Sequence, residues 1–210
     1  MPLITLASTS SGRKKLLEDA GLDFLTLAPG VDEEALVELE KPAGVCEMTL
    51  LLASAKAIAG AKSATTRLVL GCDSALEFEG QNLGKPLTKD LATQRWKEMR
   101  GKSGYLHSGH HLIDTESGES RSVCSKTLVF FADLSDSEIN AYVESGEPLY
   151  VAGSFTIDGR GGPFIERIEG DYHTVVGLSL VELRKMLGEL GQDITSLWRY
   201  TQQNPNFFVE

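Results

Sequence analysis

The chain has 210 residues, of which 41% are hydrophobic and 24% are charged, and its formal net charge is −10 at pH 7. This composition is typical of a globular protein with a sizeable core, and so acidic a surface argues against general binding to nucleic acids or anionic lipids. The sequence does not open with a basic segment followed by an apolar core, and no stretch approaches the ~18 apolar residues that span a bilayer. We therefore expect no nucleic-acid partner, no membrane partner and a cytoplasmic location.

The chain opens with a predicted strand, a polar loop and a predicted helix. Residues 3–7 form a short apolar run that indicates a strand. The small polar residues 8–12 follow, and residues 13–20 have apolar spacing typical of a helix that stops at Gly21. A second extended segment is predicted over 24–28.

Three further elements are predicted in the first half. Apolar residues at helical intervals indicate a helix over 47–59. The continuous apolar run 68–72 predicts a buried strand, with Asp73 at its carboxyl end. Residues 88–100 form a predicted helix that Gly101 closes.

The second half contains a predicted β-hairpin, formed by residues 105–114 and 122–131. Serine followed three residues later by glutamate predicts capped helices that begin at Ser135 and Ser179. Strands and helices alternate early and a hairpin follows, which favours a mixed α/β fold with a curved sheet over a fully parallel doubly wound fold.

The three cysteines and four histidines give little indication of a metal site. Cys46, Cys72 and Cys124 are odd in number and lack CxxC spacing, which predicts reduced thiols packed as small hydrophobic side chains. His110 and His111 would point to opposite faces of a strand, so they do not readily share one ion.

The loop from residue 8 to residue 13 is the first candidate site. Hydroxyls and backbone N–H groups at a helix start attract anions, and Arg13 offers a planar cation suited to phosphate oxygens. The alternative is an ordinary cluster of helix-capping hydroxyls, with Arg13 solvated on the first turn.

Further candidates are one aspartate, two lysines and an acidic segment. Asp73, next to a buried strand, could hold a metal or orient a water, or simply cap a turn. Lys56 lies at the edge of an apolar helix face, and Lys85 lies between a glycine and a proline; either is more often a solvated cation. The acidic residues 32–34 could supply a second carboxylate to a metal, or form a solvated loop.

Residues 6–17 resemble the start of Maf-family proteins. Further blocks resemble the family in the same order: Val31-Asp32-Glu33, Ala55-Lys56-Ala57, Gly71-Cys72-Asp73, Gly84-Lys85-Pro86, Leu106-His107-Ser108-Gly109, Ala152-Gly153-Ser154-Phe155, residues 164–172 and Val176-Gly177-Leu178-Ser179-Leu180. The match extends from residue 3 to about residue 187. It implies one two-lobed domain over residues 1–190, leaving residues 191–210 as a tail of uncertain structure.

The resemblance implies a fold related to inosine triphosphate pyrophosphatases, in which a mixed curved sheet with flanking helices forms two lobes around a deep cleft. Family members look like homodimeric enzymes that hydrolyse the α–β phosphate bond of nucleoside triphosphates. The polar residues implied for the cleft are Ser8, Arg13, Glu33, Lys56, Asp73 and Lys85.

Within that set, Asp73 is the expected catalytic residue, acting as proton acceptor or as ligand of Mg²⁺ or Mn²⁺ with Glu33. Ser8, Arg13, Lys56 and Lys85 would bind the substrate phosphates. The family was first named for inhibition of septum formation, so a non-catalytic regulator of cell division is the alternative function. A phosphatase that releases orthophosphate is a third.

Three positions that resemble the family's base pocket depart from both bacterial subfamilies. The dTTP/UTP type carries arginine, threonine and glutamine there, and the 7-methyl-GTP type carries tryptophan, glutamine and glutamate. This chain has Gly12, Ser74 and Asp158. An ionised carboxylate only accepts hydrogen bonds and would favour a guanine edge, yet aspartate is shorter than glutamate. The preferred base therefore stays open.

Overall fold

A computed structural model describes residues 3–199 of the chain. In that range the strands form one seven-stranded mixed sheet in the order β2-β1-β3-β5-β6-β7, with β4 paired to β3 beside this path. The strands are β1 Ile4–Ala7, β2 Phe24–Leu27, β3 Leu68–Phe78, β4 Gln81–Leu83, β5 Ser103–Asp114, β6 Ser120–Phe131 and β7 Ile165–Glu169. The sheet is not closed, and its flanking helices confirm the mixed α/β class.

The helices are α1 Ser11–Asp19, α2 Glu33–Glu40, α3 Val45–Ala61, α4 Lys89–Met99, α5 Asp136–Glu144, α6 Tyr172–Val176 and α7 Leu180–Glu189. Several begin where the sequence predicts, because a hydroxyl side chain accepts a hydrogen bond from a backbone N–H of the first turn. Ser135 and Glu138 form the complete reciprocal capping box at α5. Across residues 3–199 there is no helix with both the length and the apolar character needed to traverse a lipid bilayer.

The prediction that β3 ends before Asp73 is wrong. The strand continues to Phe78, so Asp73 lies in its middle. Asp73 and Ser74 interrupt the apolar run, but each finds a polar partner, and the largely buried residues 75–78 continue the strand.

Helix α2 was not predicted, because the acidic residues 32–34 read as a loop. Asp32 is in fact its N-cap, and none of the helix's residues is buried, so no apolar periodicity marks it. In the predicted tail, Ile194–Leu197 forms a 3₁₀ helix, and Leu197 is buried in the core. The rest of that tail, residues 200–210, lies outside the described residues.

Two hydrophobic cores give the protein its two lobes. The first packs α1 and α7 against β1 and the first half of β3, with Leu17 and Leu187 at its centre. The second packs α4 and α5 against the other half of β3 and against β5 and β6. There Trp96 makes edge-on contacts with three rings, including those of Phe131 and Tyr142. β3 therefore passes from one core into the other, and residues 73–75 lie between them.

One edge of β3 is left open between the two lobes. β5 pairs with one edge from Leu68 to Glu77. The other edge pairs with β1 as far as Gly71 and with β4 only from Leu76 onward. Five residue steps separate these two pairings, or about 17 Å at ~3.3 Å per residue. We call this opening, at residues 72–75, the sheet gap.

Candidate active site

A lysine and two carboxylates meet on the face of the sheet that α3 covers. Side chains alternate along β3, so Gly71 and Asp73 both point toward α3. A Cβ on Gly71 would lie 2.1 Å from the carbonyl oxygen of Ala53, so the glycine is what allows the helix to pack this closely. The Nζ of Lys56 consequently lies 2.6 Å from Asp73 Oδ1 and 2.9 Å from Glu33 Oε1. The sequence-predicted Glu33, Lys56 and Asp73 are thus brought into direct contact.

Burial and charge act in opposite directions on Asp73. The side chains of Asp73 and Lys56 are only 12% and 8% exposed, whereas that of Glu33 is 48% exposed. Burial raises the pKa of Asp73 above its ordinary value, and the nearby Glu33 adds to this, while the charges of Lys56 and Arg13 oppose it. The site is therefore a partly desolvated carboxylate that depends on its neighbouring cations.

Arg13 lies on the opposite face of the sheet and is nearly buried, so the alternative of a solvated arginine is wrong. Its Nη1 donates to Cys72 O at 2.9 Å and to Ser8 Oγ at 3.2 Å, and its Nη2 donates to Ser74 Oγ at 2.9 Å. Its Nε donates to the carbonyl oxygen of Gly177 at 2.8 Å. Four of its five N–H groups therefore bond to the protein itself, and Arg13 ties α1 to the open edge of β3.

Ser8 and Lys85 lie at the two borders of the sheet gap. Ser8 directly follows β1, and Lys85 comes two residues after β4. Lys85 is exposed, and no ion pair holds it within residues 3–199. Arg95, on α4, donates to the carbonyl oxygen of Gly84 at 2.5 Å and to Ser154 Oγ at 3.5 Å. It anchors the loop that carries Lys85, and it was not predictable from the sequence because a single arginine on an amphipathic helix carries no pattern.

The three proposed specificity positions lie on α1, on β3 and in a loop before β7. Gly12 lies in the first turn of α1, and an added Cβ there would be in ordinary contact with Val176, 3.7 Å from its carbonyl oxygen. The Oγ of Ser74 accepts a hydrogen bond from Arg13 Nη2 at 2.9 Å. Asp158 is exposed, in a loop whose Arg160 N–H donates to Glu147 Oε2 at 2.9 Å. Gly12 has no side chain, so only Ser74 and Asp158 offer polar side-chain atoms at these positions.

Asp73 and Glu33 are the residues that fit a divalent metal. Their carboxylate oxygens converge on a common position, and hard cations such as Mg²⁺ and Mn²⁺ bind through oxygen ligands. In this structure the Lys56 ammonium lies between them, which shows that the position attracts positive charge. A metal ion held by both carboxylates would require this ammonium to move aside.

The fold and this site define a two-lobed α/β protein with a carboxylate–ammonium cluster in a gap of its mixed sheet. The family described as Maf-like protein matches residues 3–190. The chain belongs to this family.

Two relatives support the assignment. A nucleoside triphosphate pyrophosphatase of Salinispora tropica is 50% identical over 210 residues, covering 98% of this chain and 92% of that protein. A protein of the same name from Streptomyces coelicolor is 51% identical over 197 residues, covering 93% and 94%.

Proposed function

We propose that the protein is a nucleoside triphosphate pyrophosphatase that converts its substrate to a nucleoside monophosphate and pyrophosphate. The observation that carries this proposal is the contact of Lys56 with both Asp73 and Glu33 beside the open edge of β3. The names of the relatives supply the substrate class. A triphosphate is a polyanion, so a protein of net charge −10 needs cations concentrated where it binds.

The cations at the sheet gap support this reading. Lys56 and Lys85 would neutralise charge on the nonbridging oxygens and on the departing pyrophosphate. Ser8 would donate its hydroxyl to a phosphate oxygen, since Arg13 holds that side chain in place. Arg13 itself would act mainly through Ser8 and through its charge, because most of its N–H groups are already bonded.

In the reaction, water attacks the α-phosphorus, the bond to the bridging oxygen breaks, and pyrophosphate leaves while the water proton passes to a base. Asp73 and Glu33 would hold a divalent cation, which would supply positive charge to the phosphates and lower the pKa of a water molecule. Asp73 is therefore proposed as ligand or as proton acceptor. Its raised pKa makes it a better base than an ordinary exposed aspartate, and a bound cation would reverse this.

Gly12, Ser74 and Asp158 are proposed to influence which base is accepted. The side chain of Ser74 already donates and accepts hydrogen bonds with Arg13 and Ser108. Because these hydrogen bonds occupy the Ser74 hydroxyl, it is less available to bond to a nucleotide base than the resemblance to the family implies. Asp158→Gln, assayed against pyrimidine and guanine nucleotides, would test the loop that carries it.

The decisive experiment incubates the chain with a panel of nucleoside triphosphates, including modified ones, and with Mg²⁺ or Mn²⁺. Product analysis by phosphorus NMR should show monophosphate and pyrophosphate, whereas orthophosphate would indicate a simple phosphatase. Asp73→Asn should abolish turnover. The matched control is Asp114→Asn, because Asp114 is also buried and paired with a cation, Arg67, at 2.6 Å. Lack of pyrophosphate with every nucleotide would refute the proposal.

A regulator of cell division that needs no catalysis is the second hypothesis, and no contact among residues 3–199 favours it. A cellular effect that survives Asp73→Asn would support it. The homodimer, the cytoplasmic location and the division at residue 190 are retained as parts of the proposal. Light scattering of the purified chain would measure whether it forms a homodimer.

A further inference from the structure

Two cysteines and a histidine meet outside the candidate active site. Cys46 lies in the first turn of α3, His107 on β5 and Cys124 on β6. One ligand atom from each lies within 4.8 Å of the other two, and His107 Nδ1 is 3.8 Å from Cys124 Sγ. We call this group the thiol–imidazole cluster. All three cysteines of the chain are free thiols in this structure.

The register of the sheet and one glycine explain why the three side chains converge. Cys124 pairs with Gly109, two residues from His107, so both side chains point toward α3. A Cβ on Gly109 would lie 2.3 Å from the carbonyl oxygen of Thr49. Because no Cβ is present, the start of α3 lies directly on the strands, and Cys46, one turn before Thr49, reaches the two strand residues.

The orientation of His107 is set by a carboxylate. Its Nε2 lies 2.8 Å from Glu77 Oε2, and a carboxylate only accepts hydrogen bonds, so Nε2 carries the proton. Nδ1 is then the atom with a free lone pair, and it faces the sulfur of Cys124. Metal-binding histidines almost always donate their second N–H to such a carboxylate or carbonyl. This hydrogen bond points to a ligand independently of the proximity of the three side chains.

We propose that Cys46, His107 and Cys124 bind a divalent zinc-like cation, with a water molecule or small ligand at the fourth position. Thiolate and imidazole ligands favour Zn²⁺ over the hard cations proposed for the carboxylates. Metal–ligand bonds of ~2.0–2.3 Å in a tetrahedral site imply ligand atoms about 3.5–3.8 Å apart. The ligand atoms lie within 4.8 Å of one another, so the largest adjustment needed is about 1.3 Å. Each thiol releases its proton to solvent when it binds the ion.

The cluster is separate from the carboxylates but on the same sheet face. Asp73 pairs with Gly109, which pairs with Cys124, so two strand spacings, about 10 Å, separate Asp73 from the thiol. Helix α3 carries both Cys46 and Lys56. A bound ion would therefore fasten the start of the helix that supplies the lysine of the candidate active site.

Metal titration of the reduced full-length chain tests the proposal. We expect one equivalent of Zn²⁺ to bind in competition with a chromophoric chelator, and Co²⁺ to give the absorption of tetrahedral thiolate coordination. Zn²⁺ should also raise the melting temperature. Cys46→Ser, at a partly exposed position, should abolish both spectral and thermal effects. Cys72→Ala is the matched control, because Cys72 is a buried thiol outside the cluster and should leave binding unchanged.

A second variant tests the role of the carboxylate. Glu77→Gln should weaken Zn²⁺ binding by about 10- to 100-fold without removing a ligand. Binding that is unchanged in Cys46→Ser, or a Co²⁺ spectrum without thiolate bands, would overturn the proposal. So would a reduced protein that binds no Zn²⁺ but forms a Cys46–Cys124 disulfide on oxidation, since the pair would then be a redox couple. None of these measurements depends on nucleotide hydrolysis.

Discussion

Replacing Lys56 with methionine should leave a buried carboxylate without its cation. The change keeps the length of the side chain and removes the charge that lies 2.6 Å from Asp73 and 2.9 Å from Glu33. Removing one partner of a buried ion pair costs about 3–5 kcal/mol. We expect about 3 kcal/mol, the lower end of that range, because Glu33 is half exposed and can be rehydrated. For a chain of this size that is a fall in melting temperature of roughly 6–12 °C.

The pH dependence gives a sharper form of the same prediction. Without Lys56 the pKa of Asp73 rises further, so the folded state holds a proton that the unfolded state releases. The loss of stability should be small below about pH 4, the unfolded value of a carboxyl group. It should grow as the pH rises toward the folded pKa and stay constant above it.

Urea or thermal unfolding of four proteins provides the assay. Lys89→Met removes a lysine paired with Glu144 at the surface, where both side chains are more than half exposed, and should cost under about 1 kcal/mol. The double variant Lys56→Met/Asp73→Asn removes the unpaired charge and should recover part of the lost stability. The reasoning is refuted if Lys56→Met behaves like Lys89→Met, or if the double variant is less stable than the single one.

Three further predictions concern other positions. Burial lowers the pKa of His110 to about 4. The free energy of unfolding that depends on the neutral imidazole, about 3 kcal/mol at most, is therefore complete above pH ~6.5. It disappears as the pH falls toward 4. His110→Gln should remove this pH dependence of the free energy of unfolding, as measured by urea denaturation at a series of pH values. Gly71→Ala should strongly destabilise the fold, because the new Cβ would lie 2.1 Å from a backbone oxygen of α3. Gly188→Ala is the matched control: this position on α7 faces open space, so the change should stabilise the fold by up to about 1 kcal/mol. Arg95→Met should raise KM for nucleotide more than it lowers kcat, because the loop that carries Lys85 loses its anchor.

Each of these three predictions has an outcome that would contradict it. An unchanged pH profile in His110→Gln would show that another group titrates in that window. Equal melting temperatures of the two alanine variants would mean that α3 can retreat from the sheet. A lower kcat at constant KM in the Arg95 variant would place its effect in the chemical step rather than in phosphate binding.

Elements with apolar periodicity or capping residues were predictable from the sequence. The hairpin of β5 and β6 and the helices α4 and α5 agree closely with their patterns. Helix α2 was not predictable, because it buries none of its residues and its acidic start resembles a loop. The full length of β3 was also missed, since Asp73 and Ser74 are tolerated within a buried strand only through partners that are distant in sequence.

The candidate site was predictable as a set of residue types but not as a geometry. The family resemblance indicated Lys56, Asp73 and Glu33, and these do meet. Nothing in the sequence indicates that Arg13 lies on the opposite face and is already bonded within the protein. Cys46 and Cys124 are 78 residues apart in sequence, so their meeting follows from strand register and from Gly109, which no spacing rule describes.

The continuity of β3, β5 and β6 through both cores limits how the protein can change shape. The lobes are joined by a ribbon of three paired strands, so rotating one against the other would distort many backbone hydrogen bonds at once. Large swings of the kind seen where two bodies are joined by a flexible linker are therefore disfavoured. Capture of a ligand in the gap would depend on its borders, above all on the loop of Lys85. The radius of gyration from small-angle scattering should accordingly change little when the gap is filled.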